Sequence, residues 1–274
     1  MHIEPASGAV GAVVQDIDVR TIDDNDFAKL HQAFADHGAL FIRDQHLEPE
    51  DHIAFAERWG AININRFFAA VPEHPQIAQV LKEPDQTVNI GGGWHTDHSY
   101  DEVPAMGSIL YALETPPSGG DTLFAGMAAA YDALDDEMKE KLDGLEAFHS
   151  NAHIFGEDSE YAKEIGDRFG NAKRAVQEAV HPVVLPHPVT GRKGLYVNPA
   201  FTIRILGMDE QESADLLMQL YAHIMQEQFH FRFHWEPGSL AMWDNRSTWH
   251  YAMNDYHGHR RLMHRITVEG VPLH

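Results

Sequence analysis

The chain has 274 residues, 20 of them Lys or Arg against 42 Asp or Glu, for a formal net charge of −22. That imbalance argues against nucleic acid and anionic membrane surfaces as partners, since both need a basic footprint. The absence of cysteine excludes disulfides, thiol nucleophiles, thiolate zinc sites and iron–sulfur clusters held by thiolates.

Seven of the 20 basic residues are Lys, so arginine carries most of the positive charge and is the type to examine for anion binding. A hydrophobic fraction of 43% is ample for one sizeable core. Met1 to Pro5 lacks the basic and apolar regions of a leader, and no run of 18 apolar residues occurs. A soluble, cytoplasmic protein is expected.

In chain order, Val10 to Val19 is β-branched and strand-like, and Asp26 to Phe34 has helical spacing, with acid at Asp23 to Asp26 and a stop at Gly38. Ala39 to Arg43 reads as a strand, Pro49 to Trp59 as an amphipathic helix closed by Gly60, and Ile77 to Leu81 as a further strand. Polar residues and glycine from Pro84 to Gly93 predict a mobile loop. Gly107 to Leu113 is strand-like, Pro116 to Thr122 is a turn into another strand, and Met127 to Leu145 reads as one helix. The polar segment 149–179 reads as an insertion or lid over the core. Short strands return at Val183 to Leu185, Gly194 to Val197 and Phe229 to Trp235, interrupted by a helix from Asp209 to Glu227, and end with Leu240 to Trp243 and Leu262 to Val268. The pattern predicts a mainly β fold with flanking α-helices, a jelly-roll (double-stranded β-helix, cupin-like) core, in one domain over 1–274.

Trp94-His95-Thr96-Asp97 is the segment richest in chemistry. On extended backbone residues i and i+2 share a face, so His95 and Asp97 can offer an imidazole and a carboxylate to one metal ion. His250, shortly after Trp243-Asp244-Asn245-Arg246, supplies a second imidazole. Two nitrogens and one oxygen with open positions opposite suit non-haem Fe(II) and O₂. Arg261 and Arg265 stand i and i+4 on a strand, hence on one face and about 13 Å apart. Inward-facing arginines need anions, because an unpaired buried cation is costly. Two of them beside a metal suggest two carboxylate-like ligands, one a dicarboxylate cosubstrate. The alternative is structural pairing with nearby Asp or Glu. His264 has the opposite strand parity and should face away, His257 and His259 fall in a surface turn, and the Phe229/Phe231/Phe233 stripe is assigned to packing.

These segments, with Gly119-Gly120-Asp121-Thr122, His187-Pro188, Gly194 to Asn198, Phe201-Thr202, His250-Tyr251-Ala252 and Arg260 to Arg265, resemble the taurine dioxygenase / 2,4-dichlorophenoxyacetate dioxygenase (TauD/TfdA) family over nearly the whole chain. The resemblance implies an Fe(II)- and 2-oxoglutarate-dependent dioxygenase that couples decarboxylation of 2-oxoglutarate to succinate and CO₂ with hydroxylation of a small organic anion by O₂. It implies His95, Asp97 and His250 as iron ligands, Thr122 and Arg261 as holders of the far carboxylate of 2-oxoglutarate, and Arg265 as the grip on the substrate anion. It also implies a homo-oligomer, dimer or tetramer. Asn65, Phe68 and Gly91 stand where taurine dioxygenase has a His, a Tyr and an Asn that bind substrate; His98 follows the His-x-Asp motif, and Phe155 and Phe201 remain aromatic. Lost hydrogen-bond donors and added space point away from taurine to a larger or more apolar acid: an aryloxyalkanoate, an alkyl sulfate or a longer sulfonate. The competing readings are a Zn²⁺ hydrolase or isomerase in the same three-ligand pocket and a non-catalytic binding protein.

Overall fold

The computed structural model describes residues 1–156, 159–166 and 176–273. Its larger sheet has nine strands. Eight lie in the order His2–Pro5, Ala12–Gln15, Ala39–Ile42, Leu240–Asp244, Gly107–Glu114, Arg261–Val268, His74–Lys82, Ala70–Val71, and Ile62–Asn63 pairs with the strand Arg261–Val268. A three-stranded sheet, His230–Phe233, Thr122–Gly126 and Thr248–Ala252, faces it.

Side-chain alternation assigns the layers. Along Leu240–Asp244, Leu240 and Met242 pack outward with Leu30 and Phe34 of the helix Asp24–His37 and Phe55 of the helix Pro49–Glu57. Ala241 and Trp243 point inward, where Phe41, Leu110 and Met263 of the large sheet meet Phe124 and Phe233 of the small one. The small sheet turns Ala125 and Trp249 the other way, onto Leu216, Leu220 and Ile224 of the helix Glu210–Ile224. The result is the expected jelly roll, two sheets clothed by helices. Arg261, Met263 and Arg265 share parity and face the space between the sheets, as do Thr122, Phe124 and His250 from the other side.

Helix boundaries follow their caps. Asp23 accepts from the backbone N–H of Asp26, and Gly38 closes the first helix at φ 73°. The expected single helix over Met127 to Leu145 is instead two, Met127–Asp132 and Asp136–Leu142, because Asp135 caps a new start by accepting from Met138. The expected strand at Gly194 to Val197 is confined to Lys193–Leu195.

The expected insertion at 149–179 is not a simple one. It begins in the strand Glu146–Ser150 and ends in Glu178–Pro182, which pair antiparallel in a sheet completed by Thr202–Ile205. Short helices Ala152–Phe155 and Glu160–Ile165 lie between them, and 157–158 and 167–175 fall outside the described residues.

Candidate metal centre and anion pocket

His95 does not sit on a regular strand, as its spacing to Asp97 suggests, but in an isolated antiparallel bridge to His250. The preceding loop is stitched along Thr248–Ala252. Ala252 donates its N–H to the Gly91 carbonyl, the Asn89 amide donates to the Ala252 carbonyl, and Thr96 donates its hydroxyl to the Asn245 carbonyl. Gly91 at φ +80° is the residue that makes this turn possible.

The Nε2 atoms of His95 and His250 lie 3.7 and 3.5 Å from carboxylate oxygens of Asp97, and one ligand atom from each of the three falls within 4.8 Å of the others. His95 donates Nδ1–H to the Gly93 carbonyl at 2.8 Å, which fixes the ring with Nε2 turned toward Asp97. Burial, reinforced by the neighbouring His95, pushes His250 well below the usual imidazole range, so it is neutral and able to ligate. Burial alone would raise the Asp97 pKa, but the Arg265 guanidinium and then His250 hold it far below the usual carboxylate range. Two imidazoles and an ionised carboxylate on one side of a cavity form a donor set that fits Fe(II).

The two arginines differ. Arg265 donates Nε–H and Nη2–H to Ser108 Oγ at 3.1 and 2.7 Å, and Nη2–H to Asp97 Oδ2 at 2.7 Å. Arg265 is thus paired with Asp97 while it lines the cavity. Arg261 is buried, and its Nε and Nη2 lack hydrogen-bond partners among the described residues. Beside it, Thr122 Oγ1 accepts from the Trp235 indole at 2.9 Å, which leaves the threonine hydroxyl hydrogen to donate elsewhere. From the opposite sheets Arg261 and Thr122 both meet Trp235, and together a buried guanidinium and a hydroxyl donor make a carboxylate cradle.

The cavity that joins these groups has a volume of about 460 Å³. Each residue proposed from sequence lines it: His95, Asp97, His250, Thr122, Arg261, Arg265, Asn65, Phe68, Gly91, His98, Phe155 and Phe201. Asn65 serves differently from the expectation. Its Oδ1 accepts from the backbone N–H groups of Phe67 and Phe68, so the carbonyl shapes the loop and only the amide nitrogen is left for a ligand. His98 holds a left-handed backbone, φ 62°, and its Nδ1 is pinned to Asp101, which Arg66 grips through both carboxylate oxygens. The histidines set aside behave as expected: His257 and His259 are exposed, and His264 is outside the cavity.

Phe67, Tyr100 and Tyr161 complete the apolar wall and are not singled out by any motif. Phe67 stacks on Phe155 with ring centroids 4.3 Å apart, and Tyr100 meets Phe201 edge-on at 4.8 Å. The run Phe67-Phe68 beside a predicted site residue is the only sequence signal for the first; for Tyr161, across 157–158, there is none.

A family model described as "Taurine catabolism dioxygenase TauD, TfdA family" matches residues 2–267. The chain is 32% identical over 280 residues to the alpha-ketoglutarate-dependent sulfate ester dioxygenase of Pseudomonas putida, covering 98% of this chain and 90% of that one. It is also 32% identical to the (S)-phenoxypropionate/alpha-ketoglutarate-dioxygenase of Sphingobium herbicidovorans, over 98% and 95% of the two chains. A crystal structure of a taurine dioxygenase from Burkholderia xenovorans superposes with a TM-score of 0.82 at 31% identity, covering 98% of this chain and 90% of that one.

Proposed function

The chain belongs to the TauD, TfdA family and is an alpha-ketoglutarate-dependent dioxygenase that uses Fe(II), 2-oxoglutarate and O₂, and from that premise we propose how its own residues divide the work. His95, Asp97 and His250 hold the iron. Arg261 and Thr122 hold the far carboxylate of 2-oxoglutarate, and the whole chain acts as one catalytic domain. The observation that carries this reading is the meeting, in one cavity, of the His–Asp–His set with a buried guanidinium, two of whose nitrogens have no partner among the described residues.

When bound there, Fe(II) and 2-oxoglutarate supply oxidative decarboxylation to succinate and CO₂, coupled to hydroxylation of the primary substrate. The protein's part is positioning and exclusion of water. The aromatic wall of Phe67, Tyr100, Phe155 and Phe201 takes the apolar body of the substrate, and Arg265 supplies cationic attraction for its anionic end, with His98 at the same wall. The substrate is therefore a small organic anion with an apolar body: an alkyl sulfate, a sulfonate or an aryloxyalkanoate. Relatives named for a sulfate ester and for phenoxypropionate support that range. A zinc hydrolase would leave Arg261 without a purpose, and nothing observed favours one.

The test is a panel of alkyl sulfates, sulfonates and aryloxy acids incubated with protein, Fe(II) and 2-oxoglutarate. Succinate that depends on both O₂ and one of these acids supports the reading; its absence across the panel removes it. No helix among the described residues is long and apolar enough to cross a membrane. A cytoplasmic location and a dimeric or tetrameric state belong to the same proposal, and light scattering tests the second.

A further inference from the structure

Ser108 is fully buried on the strand Gly107–Glu114, two residues before Leu110 and therefore on the inward face of the large sheet. Its partner across the ladder is Thr267, which places Ser108 beside Arg265, two residues earlier on the neighbouring strand. Its hydroxyl oxygen accepts from both Nε and Nη2 of Arg265. The guanidinium is planar, so two bonds to one fixed oxygen set its plane as well as its position. With the plane set, Nη2 reaches Asp97 Oδ2 at 2.7 Å, and the Nη1 end remains for a ligand in the cavity that Arg265 lines. The guanidinium carbon lies over the Trp243 ring, 5.6 Å from its centre.

We propose that Ser108 is a positioning residue for the metal centre: by fixing the Arg265 fork it holds one oxygen of Asp97, so that a single guanidinium orients the metal-binding carboxylate and faces the substrate anion. This rests on the reading of Asp97 as a metal ligand given above. Ser108 touches neither metal nor substrate and acts through Arg265. A bound anion on Nη1 and the carboxylate on Nη2 then share one rigid group, which couples the substrate to the geometry of the metal site.

The experiment compares Ser108→Thr with Ser108→Val, side chains of nearly equal size that differ in the hydroxyl, with Ser108→Ala as a variant without added bulk. The first readout is the affinity of the apoprotein for Fe(II) in anaerobic titration, with no substrate present, alongside circular dichroism. Loss of a group supporting a metal ligand costs about 10–100-fold in affinity. Val and Ala variants should fall in that range while Thr stays within about three-fold of the parent chain. The second readout is the substrate KM, which should rise in Val and Ala more than kcat falls. Equal iron affinity in the Thr and Val variants, or parental iron affinity in the Ala variant, overturns the proposal. A chain that bound iron with the predicted hydroxyl dependence but formed no succinate on any panel acid would sink the substrate reading and leave this one standing.

Discussion

His95 and His250 stand opposite each other and exchange both backbone hydrogen bonds, at 3.1 and 2.8 Å, although 155 residues separate them in sequence. Residues paired directly across an antiparallel bridge project to the same face. That is why the two rings lie with centroids 4.1 Å apart and why both Nε2 atoms reach the same carboxylate. The proposed metal site is thus assembled by main-chain pairing, which does not depend on the ring itself.

It follows that His95→Ala should keep its fold while losing its chemistry. Iron affinity should fall by more than the ~10–100-fold seen when a supporting partner is lost, and succinate formation should cease. Asp97→Ala should do the same, with some added instability because Arg265 loses its anion. Near-parental turnover in both variants would discard the assignment.

Arg261 makes an opposite prediction for stability and for function. Burial of its guanidinium without partners for Nε and Nη2 among the described residues is unfavourable until an anion arrives. Arg261→Met should therefore stabilise the chain in the absence of 2-oxoglutarate, by about 1–3 kcal/mol. It should also raise the KM for 2-oxoglutarate by about 100-fold or more, the scale of losing one partner of a buried charge pair. Urea titrations without and with 2-oxoglutarate read the first effect, and steady-state kinetics the second. A variant less stable than the parent when 2-oxoglutarate is absent would make Arg261 a structural residue.

Legibility tracks where each signal is physically stored. The helix Asp24–His37 is readable because its apolar spacing, Asp23 cap and Gly38 stop agree. The candidate His–Asp–His triad is readable because its residue types and order are rare together. The strand Thr248–Ala252, which carries His250, shows no polar–apolar alternation, since Thr248, Trp249 and His250 are all buried between layers. The break at Asp135 is hidden because helix-forming residues flank it on both sides. A capping aspartate there differs from one in a helix interior by a single hydrogen bond, here from Met138. Ser108 is invisible without the strand register, because nothing in the sequence distinguishes a buried serine beside an arginine from any other.

His52 gives a pH dependence whose sign can be worked out. It lies buried in the helix Pro49–Glu57 with no well-formed hydrogen bond at either ring nitrogen among the described residues, and burial, then the nearby His264, pushes its pKa down to about 3 against a weak opposing effect of the Ile109 backbone. Below about pH 6.5 the unfolded chain takes up a proton that the folded chain refuses. Stability linked to His52 is therefore fully present above pH 6.5 and is lost as pH falls toward 3, at about 1.4 kcal/mol per pH unit. His52→Leu should remove this dependence, gaining about 2 kcal/mol more at pH 5 than at pH 8. His149, also lowered to about 3 by burial, leaves a residual slope in the variant. Equal stability changes at the two pH values in urea titrations would refute the assignment.

The aromatic wall predicts how substrate length is felt. Phe155 is stacked between Phe67, at 4.3 Å, and Phe201, at 6.2 Å, and faces the cavity. In a homologous series of alkyl sulfates each methylene buried against this wall is worth about 0.8 kcal/mol, or roughly four-fold in KM. Phe155→Ala removes one side of the contact, so KM should rise by about 10–100-fold for long chains and much less for short ones. Thr122 is held by Trp235, whereas Phe155 stacks on Phe67, so the KM for 2-oxoglutarate should stay within about two-fold. A uniform rise across all chain lengths would mean that Phe155 supports the fold of the pocket and does not read the substrate's length.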